Sequence, residues 1–348
     1  VTQFNEFGEF GLRRNGVKLG VKSDDTKFMV SYNYHNFAGY RQHSEDFWNI
    51  LNTVLETKLT EVSKLSLFGY SATGTIKLPG SLKKSEFDLD PYQAAKTEKD
   101  YDYYRLSNKG RLGIKFETSF DEKRNNEFEI TGYVTLKYFE RAQKTVRIFN
   151  RYGMGASTRY TNKSKIAGLN NTFSVGGDLF YQTGPIEEYN NINGLKGDNL
   201  LTLVDETIQN AGFFLQERFE LMPDKFALLL TGRYDNVTFA AKNRLLGSQD
   251  DRKKYEAFTP KLALNYKLTP YLSLYTSYGL SFDSPAGNEL DNYPTSSNQG
   301  KIYNPDLEAQ KSKNFEFGAK GNLIFSQGLF NYLFFEGTFF NIMIDNEI

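Results

Sequence analysis

Arg147, Arg151 and Arg159 cluster around one connection of the chain. A guanidinium group is planar and offers paired donors that match the two oxygens of a carboxylate. Tyr181, Tyr189, Tyr293 and Tyr303 stand in or beside two long connections, and a phenol presents an apolar face with a polar tip. Together these residues suit the recognition of an anionic, multidentate ligand. The same arginines also fit an ordinary charged lining or surface, and the spacing alone does not separate the two.

Other chemistries find little support. Two histidines, His35 and His43, and no cysteine leave little room for a His- or thiolate-based metal or catalytic site. "GYSAT" at Gly69–Thr73 lacks the last glycine of a nucleophile elbow. "GMGAST" at Gly153–Thr158 lacks the third glycine of a dinucleotide loop. Both sit at strand ends with no helix following, so no enzyme is expected. The segment Leu82–Tyr104 mixes Glu86, Asp88, Asp90, Glu98, Asp100 and Asp102 with several lysines. It reads as a solvated loop of mixed charge, with a calcium or ligand site as the other possibility.

With 42 basic and 42 acidic side chains, the chain lacks the basic footprint of a nucleic-acid binder. No run of about 18 apolar residues occurs, so no transmembrane helix is expected, and no signal peptide is visible. The aromatic content is high for so polar a chain: 30 Phe and 23 Tyr. A β-barrel in an outer membrane uses such residues in its lipid-facing band and its interfacial girdles.

Period-two alternation places the elements. In Phe258–Leu268 one side carries Phe258, Leu262, Leu264, Tyr266 and Leu268, the other Thr259, Lys261, Asn265 and Lys267. The segments 127–139, 271–282 and 312–324 behave alike, and none offers the three- and four-residue spacing of a helix. We expect about fifteen strands, at 1–7, 10–22, 27–38, 46–59, 63–74, 103–120, 126–141, 152–162, 169–184, 207–221, 224–241, 256–268, 271–282, 312–324 and 329–343. Short turns such as "SDDT", "TEVS", "DEKRNN", "MPD" and "FSQG" alternate with long connections at 75–102, 185–206, 242–255 and 283–311. Short turns at one end and long loops at the other are the habit of transmembrane barrels.

The ordered segments resemble a known family. "FTPKLALNYKLTPYLSLYTSYGLSFDSPAGNEL" (Phe258–Leu290), "NPDLEAQKSKNFEFGAKGNL" (Asn304–Leu323), "GYRQHS" (Gly39–Ser44), "LPGSLKKSEFDLDPYQA" (Leu78–Ala94) and the closing "FFNIMIDNEI" resemble the TonB-dependent receptors, in particular ferric-siderophore receptors of the ferric-citrate type. The resemblance implies an all-β transmembrane antiparallel barrel. About 15 of roughly 22 strands would then be present, with 1–348 a partial barrel domain that lacks the plug and the last strands. It implies a ligand-gated importer in the bacterial outer membrane, energised by TonB through a missing N-terminal region. Iron would be carried only as a chelated substrate, with no cofactor or bound metal of its own. Ferric-citrate receptors use arginines against the citrate carboxylates, and Arg147, Arg151 and Arg159 lie in about that region. Residues 283–303 contain no histidine, which argues against haem. A passive porin-type channel, a TonB-dependent importer of cobalamin, a nickel chelate or a glycan, and a soluble β-rich binding protein are the rivals.

Overall fold

The computed structural model describes residues 1–245, 249–287, 289–290, 301–324 and 331–347. They form one sheet of fifteen strands in strict sequence order, β1-β2-β3 through to β15. The strands are β1 (Thr2–Phe7), β2 (Arg13–Lys22), β3 (Thr26–Phe37), β4 (Asp46–Lys58), β5 (Ser63–Lys77), β6 (Tyr104–Ser119), β7 (Asn126–Ala142) and β8 (Thr145–Ile166). There follow β9 (Leu169–Ile192), β10 (Leu195–Met222), β11 (Phe226–Asn243), β12 (Gln249–Thr269), β13 (Leu272–Asp283), β14 (Gln310–Ile324) and β15 (Tyr332–Asp345). Every neighbouring pair is antiparallel. Two short helices, α1 (Lys84–Leu89) and α2 (Lys96–Asp100), lie between β5 and β6. No described helix is long and apolar enough to cross a membrane.

The registers sort every side chain to one of two faces. On one face lie Leu112 and Ile114 of β6, Val134 and Leu136 of β7, Leu179 of β9, Phe213 of β10 and Phe258 of β12, all exposed. The other face carries Lys, Arg, Glu, Ser and Thr. A single sheet with one continuous bare apolar face is unstable in water. It is the wall of a transmembrane barrel, apolar toward lipid and polar toward the lumen. The Phe226–Tyr266 ring pair, with centroids 5.9 Å apart, closes the lower edge of the apolar face of β11–β12, and Tyr234 stands at its upper edge.

Strand boundaries depart from the sequence reading in one region. The long connections expected at 185–206 and 242–255 are largely strand. β9 runs on to Ile192 and returns through Asn193 (φ 52°) and Gly194 (φ 88°). Both residues are left-handed, as a two-residue type I′ hairpin requires, and Asn-Gly is the strongest sequence signal for that turn. Likewise β7 and β8 meet across Gln143–Lys144, so Arg147 and Arg151 sit in a strand and not in a loop. The wall therefore stands well above the apolar band here. The long connection at 78–103 remains outside the strands, as do residues 284–287, 289–290 and 301–309, while the rest of the connection before β14 and the "FSQG" turn fall outside the described residues.

The short end is held by turn chemistry. In the β6–β7 turn the Asp121 carboxylate accepts hydrogen bonds from the Asn125 amide (3.0 Å), the Asn126 amide (2.8 Å) and Asn126 Nδ2 (3.0 Å). These donors, the Asn125 amide first, hold its pKa below the usual carboxylate value. A depressed native pKa gives stability that is complete above the unfolded value of about 3.9 and lost as pH falls through the native one. The protection of the Asn125 and Asn126 amides, taken relative to intrinsic exchange at each pH, is expected to fall below about pH 4. In Asp121→Ala it should be low at every pH. Wild-type protection that does not change across this window would show that the carboxylate does not hold the turn.

Candidate functional site

Strand register builds a cationic patch on the polar face of β6, β7 and β8. Arg105 is opposite Arg141, and Arg141 is opposite Arg147. Two ladder positions lower, Lys109 faces Lys137 and Lys137 faces Arg151. Directly opposed side chains have Cβ atoms only about 4.5–5.5 Å apart, so each row sets three cations side by side. An aromatic layer separates the rows. Phe139 and Phe149 pack with centroids 5.6 Å apart. The guanidinium groups of Arg147 and Arg151 lie 5.1 and 5.7 Å from the Phe149 centroid, and Lys137 Nζ lies 5.4 Å from that of Phe139. Ring faces stabilise these cations and space the rows apart. Just below, Arg111 stands 5.5 Å from the Tyr133 centroid. Among the described residues, Arg105, Lys109, Arg111 and Lys137 make no ion pair with a carboxylate.

Arg151 is spoken for. It is 9% exposed, donates to the Gly184 carbonyl (2.9 Å) and pairs with Glu206, itself 7% exposed. The β8–β9 ladder opens at this point because Pro185 has no N–H to donate, which leaves the Gly184 oxygen for Arg151. Gly184 itself has φ 155°, and a Cβ there would strike the Asn150 carbonyl. The loop after β13 covers the pair: a Cβ on Gly287 would lie 3.7 Å from Glu206 Oε1.

That loop is strapped to the polar face of β11–β12. Asp251 accepts from the Ile302 and Tyr303 amides (2.9 Å each). Lys253 donates to the Asn304 and Pro305 carbonyls (2.9 and 2.6 Å), and the Tyr255 hydroxyl to the Leu307 carbonyl (3.0 Å). Leu290 and Tyr303, 0% and 3% exposed, pack with Val237, Phe239, Ala241 and Tyr255.

Of the residues expected from sequence, the fold brings together Arg147, Arg151 and Tyr303. Tyr303 belongs to the strapped loop whose Gly287 lies beside Glu206, the partner of Arg151. Arg159, Tyr181 and Tyr189 stand elsewhere. Arg159 lies twelve positions along β8 from Arg147, toward the short-turn end. There it ends a chain of alternating charges on the polar face: Lys27–Glu56 (2.9 Å), Glu56–Lys64 (3.2 Å), Lys64–Glu117 (2.9 Å), Glu117–Lys115 (3.1 Å), Lys115–Glu129 (3.2 Å) and Glu129–Arg159 (3.1 Å). The expected three-arginine cluster is thus corrected to a pair. Tyr181 is on the apolar face, 39% exposed. Tyr189 shares that face above the band, bonded to Glu187 (2.8 Å) and covered by Lys196 Nζ at 4.0 Å from its ring centroid. Tyr293 falls outside the described residues. Arg105, Lys109, Lys137 and Arg141 were not singled out from sequence. Fixing the β6–β7 hairpin at its "DEKRNN" turn would have set Arg105 opposite Arg141.

The acidic loop before β6 resolves as a paired, solvated structure. Asp102 pairs with Lys77, Asp88 with Lys84 and Asp100 with Lys96. Among the described residues no group of three or more His, Asp or Glu is placed to hold a metal ion. Arg41 in the β3–β4 loop clasps the same segment through the Gln93 (3.0 Å), Gly80 (2.6 Å) and Pro79 (3.4 Å) carbonyls.

Residues 15–348 match the family model "TonB dependent receptor-like, beta-barrel". The chain belongs to the TonB-dependent receptor family. Its fold is similar to that of the ferric citrate transporter FecA in its unliganded form, with a TM-score of 0.76, 15% identity and coverage of 92% of this chain and 48% of that one. The ferric-catecholate import receptor Fiu from E. coli K12 gives 0.75, 15%, 99% and 58%. The siderophore receptor PiuA from Acinetobacter baumannii gives 0.74, 16%, 96% and 55%. The chain spans about half the length of these receptors. Family members are transporters and not enzymes. In agreement, Gly69–Thr73 and Gly153–Thr158 lie within β5 and β8, with no helix to form a nucleophile elbow or a dinucleotide loop. The barrel fold is characteristic of the Gram-negative outer membrane, so the polar face is the inner wall.

Removing one member of a buried ion pair leaves a charge uncompensated, at a cost of about 3–5 kcal/mol. Glu206→Ala is expected to lower the unfolding midpoint of the detergent-solubilised receptor accordingly. The double variant Arg151→Met, Glu206→Met should recover most of that stability. Equal destabilisation in the single and double variants would mean that packing, and not charge, dominates here.

Proposed function

We propose that this chain forms part of the wall of a TonB-energised outer-membrane importer, and that its inner face receives an anionic, multidentate ferric chelate of the siderophore or ferric citrate class. The observation that carries this reading is the pair of cation rows, Arg105–Arg141–Arg147 and Lys109–Lys137–Arg151, spaced by Phe139 and Phe149. Like charges held side by side repel one another modestly in water, and a bound polyanion replaces that repulsion with attraction. Arginine forks pair with carboxylates two bonds at a time, and the aromatic layer offers an apolar step for the body of a chelate.

Arg147 and Arg151 keep their expected place in this reading, Arg147 as a ligand contact and Arg151 as the cation that fixes the lower row against Glu206. Tyr303 seats the covering loop beside them. Arg159, in its charge chain, and Tyr181, on the lipid side, lie outside it. No bond is made or broken in the ligand. The proposed sequence is capture at the inner wall, a change transmitted to a plug, and release driven by TonB. Iron enters only as cargo.

The test is ligand binding to the full-length receptor across ferric citrate, a catecholate chelate, cobalamin and haem. The double variant Arg141→Ala, Arg147→Ala is expected to weaken an anionic ferric chelate by about tenfold or more for each guanidinium removed, and more so at low salt. Arg159→Ala should leave affinity unchanged. Preferential binding of cobalamin or haem would reject the chelate assignment. Ferric-chelate affinity indifferent to Arg141 and Arg147 would reject the cation rows as the site. Free passage of solutes with no saturable binding would favour a passive channel.

A further inference from the structure

The aromatic row of the inner wall is longer than the cation rows that flank it and, resting on the import reading, it narrows the class of chelate. Phe139 of β7 is opposite Ser107 of β6, Ser107 opposite Gly74 of β5, and Gly74 opposite Trp48 of β4. The residues from Trp48 to Phe149 thus stand side by side on one face, about 19 Å across at about 4.8 Å per strand. Trp48, the one tryptophan of the chain, lies across Gly74, where a Cβ would meet its Cδ2 at 2.3 Å and its Cε3 at 2.4 Å. Gly74 and Ser107 are buried, so the row presents an indole at one end and two phenyl rings at the other.

The two ends have different surroundings. Over β6, β7 and β8 the row runs between the cation rows. Over β4 and β5 its flanking positions are Asp46 and Ile76 above, and Ile50 and Ala72 below. Asp46 is taken up by His35 (3.2 Å). The cations therefore stop at Arg105 and Lys109 of β6, and an apolar field begins around Trp48. Phe139 and Phe149 already bear cations against their rings. Trp48 is half-buried, and among the described residues neither a cation nor a second ring stacks on it. A ligand complementary to this wall has charge on one side and a flat apolar body on the other. A chelate built of carboxylates and hydroxyls, such as ferric citrate, is polar all round and matches the cationic half alone. A catecholate or phenolate chelate matches both. Its anionic oxygens gather at the iron and its rings form the periphery, where a ring face or edge can meet an indole.

We propose that the chelate received here bears aryl groups of the catecholate or phenolate class, with one ring packed on Trp48 and the net negative charge held over the cation rows. Trp48 is then the residue that selects an aryl chelate over a purely carboxylate one, while Arg141 and Arg147 attract either. Gly74 belongs to the arrangement, because any side chain there displaces the indole from the wall.

The experiment measures dissociation constants of the full-length, detergent-solubilised receptor for two probes, the ferric complex of 2,3-dihydroxybenzoate and ferric citrate. Wild type is compared with Trp48→Leu, Trp48→Phe and the double variant Arg141→Ala, Arg147→Ala, and heat-modifiable mobility confirms that each is folded. Wild type is expected to bind the catecholate probe more tightly than ferric citrate. Trp48→Leu should weaken the catecholate probe by about tenfold, the upper end of what a ring pair contributes beyond its area, and leave ferric citrate unchanged. Trp48→Phe, which keeps a ring, should recover most of the loss. The double arginine variant should weaken both probes. Wild-type preference for ferric citrate, catecholate affinity indifferent to Trp48→Leu, or equal loss of both probes in that variant overturns the aryl assignment and leaves the cation rows standing as the site. Affinity for both probes unchanged in the double arginine variant is a failure of the import site itself and overturns this assignment with it.

Discussion

A backbone amide or carbonyl left without a partner in hydrocarbon costs several kcal/mol, and every other feature of this chain follows from meeting that demand. Each strand from β2 to β14 bonds to both its neighbours in sequence. The order is the one that short hairpins can make without crossovers. Once the backbone is satisfied by pairing alone, the side chains are released from that task. One set can face lipid and the other can face water, with no packed interior between them. This is why fully buried side chains are few and concentrate where loops fold back onto the wall, around Leu290 and Tyr303 or around Val146 and Ala142.

The same constraint explains where the sequence is legible. Within the apolar band alternation is compulsory, because a polar side chain turned toward lipid is costly and an apolar one toward the lumen is wasted. Phe258–Leu268 and Leu272–Phe282 therefore read as strands at sight. Above the band both faces meet water and alternation loses its force. Glu187, Glu188, Tyr189 and Asn191 of β9 face Leu203, Thr202, Leu200 and Lys196 of β10 with no periodic signature, so the stretch resembles a loop. Only the turn chemistry of Asn193–Gly194 betrays it. The sequence offers arginines as candidates by residue type, but which of them share a row depends on hairpin register, which a single strand does not encode.

Register also decides which charges are free to act. The lower inner wall closes its charges in a chain from Lys27 to Arg159, with Lys64 and Lys115 each between two carboxylates. On the upper wall Arg151 pairs with the buried Glu206, while among the described residues Arg105, Lys109 and Lys137 make no ion pair with a carboxylate. In a water-lined lumen an unpaired cation is still hydrated and its penalty is modest, unlike that of a charge in a dry core. A surplus of this kind can persist without unfolding the wall.

The buried pair differs from both. Arg151 and Glu206 gain little as a stability device, since a well-packed apolar pair often does as well. Their placement has a geometric consequence instead. Arg151 is a member of the lower cation row and, through Glu206 and Gly287, touches the loop that Asp251, Lys253 and Tyr255 strap down. The Glu206 carboxylate holds Arg151 in place and lies beside Gly287, so the lower row and the described part of the loop meet at one buried ion pair.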